Sequence, residues 1–148
     1  MSEAIVRTET PAGDTARSVY RTLKLVFGIV PIVAGLDKFT DILVDWTKYI
    51  APPIASMLPF SGRTFMYIVG VIEIVAGLGV LATRWTRTFA IIVGIWLLCI
   101  AVDLLLGRFY DIAVRDVVMA ISAFCLARLA AVVPVVDTRT RTMRTAAV

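Results

Sequence analysis

The stretch TFMYIVGVIEIVAGLGVLA, residues 64–82, decides the fold. It is long enough to cross the hydrocarbon core of a bilayer as a helix, which takes about 20 predominantly apolar residues, and longer than the 10–14 of a helix in a soluble core. Its single charged residue, Glu73, falls near the middle. Three further runs of similar length lie around it, at about Tyr20–Phe39, Thr88–Leu106 and Ile112–Val133. The first contains Pro31, which a membrane helix tolerates with a kink. The 148-residue chain is 59% hydrophobic, above the roughly 45–50% of soluble domains, and its mean hydropathy is +0.89. It holds four spans and little else. The expected fold is all-α, an integral membrane four-helix bundle over residues 18–134.

The flanks read differently. Residues 1–17 are polar and mixed in charge, a disordered cytoplasmic tail rather than a cleavable signal peptide. Residues 135–148 form a basic Thr/Arg tail beyond a stop near Pro134. Between the first two spans lies one long connection. Phe39, Ile42, Leu43, Trp46, Tyr49 and Ile50 recur there at helical spacing against Asp41, Asp45 and Lys48, which predicts an amphipathic interfacial helix over about 40–51, ended by Pro52-Pro53. Trp46 and Tyr49, with Trp85 in the basic turn Thr83–Arg87, suit anchors at the membrane–water boundary.

Orientation follows from the cations. With the N-terminus inside, Arg7, Arg17, Arg21, Lys24, Arg84, Arg87, Arg128, Arg139, Arg141 and Arg144 lie inside, and Lys38, Lys48, Arg63, Arg108 and Arg115 outside. Ten against five places both termini in the cytoplasm.

Composition excludes several chemistries. The net charge of +4 is scattered over helix ends and makes no nucleic-acid footprint. There is no histidine, hence no histidine general base or histidine-held haem, and no metal is expected. Cys99 and Cys125 lie in apolar runs and read as buried small hydrophobes, not a redox pair. No CxxC, P-loop or dinucleotide motif occurs.

The remaining chemistry lies in charges within the spans. A carboxylate at the bilayer centre costs about 2.5–3.5 kcal/mol on insertion scales, so Glu73 must face protein, water or a cation. Gly70 and Gly77 share its face and would let a neighbouring backbone approach. Gly28, Pro31, Gly35 and Lys38 form a matching stripe on the first span, with Asp37 beside its end. Asp103 in the third span, and Arg115 with Asp116 in the fourth, fall at a similar depth in the outer half. These six, Asp37, Lys38, Glu73, Asp103, Arg115 and Asp116, could line an outward-opening ligand or proton pocket. Equally, they could pair and pin the helices in register.

An internal echo joins two spans. Gly28–Leu36 (GIVPIVAGL) matches Gly70–Leu78 (GVIEIVAGL). Either a duplicated helix or a restricted apolar alphabet would produce it.

The first helix closes on Ala-Gly-Leu-Asp-Lys-Phe, residues 34–39, and the second carries a glutamate followed by Ala-Gly-Leu, Glu73 to Leu78. With four spans and a long first outer connection, the chain resembles the DoxX-like membrane proteins over about Arg21–Leu129. The resemblance implies a bacterial or archaeal cytoplasmic membrane protein associated with redox processes, and it supplies no catalytic residue. The leading expectation is an accessory subunit or anchor of a redox complex, not catalytic by itself, with quinone as candidate cofactor. Its partners would be the lipid bilayer, other membrane or redox subunits, or further copies of itself. A small proton-coupled transporter using Glu73 and a structural scaffold or assembly factor are the alternatives.

Overall fold

The computed structural model describes residues 11–82 and 84–145, and the side chains of 12–82 and 84–133. Four helices are long and apolar enough to cross a membrane: Ala12–Thr40, Gly62–Leu81, Thr86–Leu106 and Tyr110–Val133. They belong to α1 (Pro11–Thr40), α3 (Gly62–Leu81), α4 (Thr86–Leu106) and α5 (Tyr110–Thr145), with a short α2 (Pro52–Met57) in the first connection. No strand occurs among the described residues.

The bundle is two tight helix pairs joined along thinner seams: α1 packs mainly on α3, and α4 mainly on α5. Lipid tails are as apolar as leucine, so close backbone approach, not exclusion of water, must hold such pairs together. The α1–α3 pair uses glycine for this. A Cβ placed on Gly35 would lie 2.5 Å from the Gly70 carbonyl oxygen, and one on Gly70 would lie 2.7 Å from that of Gly35. A Cβ on Gly77 would lie 2.5 Å from the carbonyl oxygen of Gly28. The echoing segments therefore pack on each other antiparallel, the first glycine of each against the second glycine of the other. Farther down, Phe27, Ala76, Val80, Ala90, Val93, Ala123, Leu126 and Ala127 draw all four membrane helices into one apolar core.

Both outer helices are longer than the sequence suggests. α1 begins at Pro11, so residues 11–17 are helical and not a tail. Proline suits a first helical position, and Asp14 in the first turn complements the helix dipole. The rest of that expected tail, residues 1–10, lies outside the described residues. α5 runs through Pro134 to Thr145, which corrects the stop and most of the expected C-terminal tail; residues 146–148 lie outside the described residues. A proline removes one donor, and a helix already running on both sides can absorb that loss.

The connection also departs from expectation. No single helix spans 40–51. Asp41 takes a left-handed backbone (φ 49°), its N–H donates to the Asp37 carbonyl at 2.7 Å, and α1 stops. Trp46–Tyr49 form one turn of 3₁₀ helix, N-capped by Asp45. Thr47 donates to the exposed Asp45 carboxylate through its hydroxyl at 2.6 Å and its N–H at 3.0 Å, which holds Asp45 below the usual carboxylate range. Pro52 and Pro53 do not end a helix here. They start α2, where their missing donors cost nothing.

Candidate functional site

The α1–α3 crossing makes room for two long charged side chains. With no Cβ on Gly70, the nearest Lys38 atom is its own Cβ, 3.2 Å from where the missing carbon would be. With none on Gly35, the Glu73 Cβ takes the corresponding space, also at 3.2 Å. Lys38 Nζ then donates to Glu73 Oε2 at 2.6 Å. The residues are 3% and 8% exposed. A charge here has no bulk water to return to, so each is the other's main compensation.

The connection closes over this pair. The Trp46 ring lies 3.7 Å from Lys38 Nζ, a cation–π distance. Trp46 Nε1 donates to Asp37 Oδ2 at 2.7 Å, while the other Asp37 oxygen accepts the N–H groups of Ile42 and Leu43, both at 3.0 Å, and the Thr40 hydroxyl at 3.3 Å. Asp37 thus caps α1 and turns the chain back over Lys38. Asp103 of α4 ties the far end of the connection by accepting the Ala51 N–H at 2.9 Å. A third tie, the ion pair between Arg63 and Asp41, joins it to the start of α3.

The six charged candidates therefore divide by role. Lys38 and Glu73 form the buried pair, and Asp37 and Asp103 hold the connection. Asp116 is 4% exposed, yet its one described bond is to Arg115 Nε at 3.4 Å, and the Arg115 side chain is 66% exposed. Asp116 lies within electrostatic reach of both Lys38 and Glu73. Trp46 and the connection lie over Lys38 on the side of Asp37.

Of the aromatic residues assigned to the interface, Trp85 is 53% exposed. Tyr49 packs edge-on against Phe109 at 5.1 Å, and Trp46 is part of the site. Trp96 of α4 also belongs here: its Nε1 is buried without a hydrogen-bond partner among the described residues and lies close to Glu73. Its place on the face of Asp103, with Cys99 three residues on and Asp103 four beyond that, was the available signal. Cys99 and Cys125 are exposed on the bundle surface, not buried; an apolar run in a membrane helix includes the lipid-facing positions. No cluster of three potential metal ligands occurs among the described residues.

The family model DoxX matches residues 21–113. The chain belongs to the DoxX family. The match takes in both echoing segments, the connection and the Lys38–Glu73 pair of this DoxX-family bundle. No curated protein and no solved structure matches it.

Proposed function

We propose that this DoxX-family chain is an accessory subunit or anchor of a membrane redox complex, quinone-linked, lying in the cytoplasmic membrane with both termini inside. Family membership is the observation that carries the reading. The ten-against-five distribution of cations supports the orientation. The ties of Asp37, Asp103 and Asp41 support it further, since they make the connection a fixed surface on which a partner can dock.

Purification of the full chain in mild detergent, with identification of co-eluting proteins, tests the proposal. A redox enzyme is expected in the eluate, with quinone-linked turnover that falls in Glu73→Gln and Lys38→Ala variants. Unchanged partner recovery and unchanged turnover in both variants would remove its support.

A further inference from the structure

Five elements bring charged or hydrogen-bonding groups towards the centre of the site. α1 contributes Asp37 and Lys38, the connection Trp46, α3 Glu73, α4 Trp96 and Asp103, and α5 Arg115 and Asp116. Two of the carboxylates are already engaged: Asp37 accepts four donors on the connection side, and Asp103 accepts the Ala51 N–H. Arg115 reaches Asp116 only through Nε at 3.4 Å, from a side chain that is 66% exposed. Glu73 and Asp116, on opposite helix pairs, remain: Lys38 pairs with Glu73 and lies within electrostatic reach of Asp116.

We propose that Glu73 is a proton-binding site and that Lys38 is its internal counter-ion, passing from Glu73 to Asp116 when Glu73 takes a proton. The step moves one proton from water to a Glu73 carboxylate oxygen. Only that O–H bond forms, Lys38 keeps its three protons, and the ammonium exchanges one carboxylate for another, so the site's charge rises by one. Asp116 is nearly fully buried, and its one described ion pair, to Arg115 Nε, is long at 3.4 Å, which leaves its carboxylate able to accept a second cation. The buried Trp96 N–H has no hydrogen bond of ordinary geometry and is directed at Glu73, so it can donate to the carboxylate and, after protonation, to the acid's carbonyl oxygen. The apolar core of all four helices closes one end of the bundle, so the proton enters from the other, past Trp46. This inference is independent of the accessory role, which co-purification tests separately.

The full chain in lipid nanodiscs, titrated from neutral to acidic pH by infrared difference spectroscopy, tests it. Acidification is expected to raise, among the carboxylic-acid C=O bands of the chain, one that Glu73→Gln abolishes. In Asp116→Asn the same band is expected to need roughly tenfold more acid, because the ammonium has no second carboxylate to move to and Glu73 loses a negative neighbour. Absence of the band from the unmodified chain, its persistence in Glu73→Gln, or an Asp116→Asn titration matching the unmodified chain would overturn the proposal. Should Glu73→Gln fail to elute as a folded species, the Asp116→Asn titration decides alone.

Discussion

Trp46 bridges two neighbouring residues of opposite charge: its ring lies 3.7 Å from the Lys38 ammonium, and its Nε1 donates to the Asp37 carboxylate at 2.7 Å. One side chain thereby fixes the end of α1, the path of the connection and the cover over the buried pair. Trp46→Phe keeps a ring over Lys38 and loses the bond to Asp37, a bond to a charged acceptor worth about 1.5–3 kcal/mol. Trp46→Leu loses the ring as well, a further ~0.5–2 kcal/mol. Hydrogen exchange across residues 41–51 is expected to quicken in the first variant and more in the second; equal rates in both would assign no weight to the ring.

The Lys38–Glu73 pair predicts a strong asymmetry between single and double substitutions. Lys38→Ala leaves a buried carboxylate without its cation and is expected to cost about 3–5 kcal/mol. Replacing both partners with apolar residues of similar size, Lys38→Met with Glu73→Leu, is expected to be near neutral or stabilising. Thermal unfolding in detergent checks this, and a double variant as unstable as the single one would show that the pair does more than satisfy itself.

Gly35 and Gly70 meet backbone to backbone, so neither tolerates a side chain. Alanine at either position forces the α1–α3 crossing apart and is expected to cost about 1–3 kcal/mol. Because the Lys38–Glu73 contact depends on that crossing, both substitutions should also disturb it. Unfolding measurements on Gly35→Ala and Gly70→Ala, beside Gly13→Ala on an exposed turn of α1 as control, separate the crossing from general glycine effects.

Asp45 carries a pH dependence that lies outside the spans. Thr47 holds its folded-state titration below the ordinary aspartate value, so its contribution to the 3₁₀ turn is fully present above that ordinary value. It is lost as pH falls through the lower folded value. Acidification is therefore expected to lower the protection of the Trp46–Tyr49 amides relative to their intrinsic exchange rates, and Asp45→Ala should show the lowered protection already at neutral pH. The effect is small, since Asp45 is exposed.

Much of the bundle is legible along the chain because a span's length and apolarity are local properties. The faces are legible too: Gly28, Gly35 and Lys38 on one helix and Gly70, Glu73 and Gly77 on the other follow the helical period, and these faces meet. The connection is the counter-example. Its alternation of apolar and charged residues fits a helix, but Asp37 captures the Ile42 and Leu43 N–H groups that a continuing helix would direct to its own carbonyls. A side chain competing for backbone donors leaves no trace in hydrophobic periodicity.

The sequence by itself determined the four spans, the family and the presence of a carboxylate at mid-membrane, because bilayer thickness and the cost of a charge in hydrocarbon act on each segment separately. Only the tertiary structure decided that Lys38 answers Glu73, that Trp46 covers them, and that Asp103 and Asp116 take different parts. Those choices depend on which groups the α1–α3 crossing, the α4–α5 pair and the folded-back connection bring within a few ångströms. A buried charge is satisfied by proximity in space, and helical spacing fixes only the direction in which each residue faces.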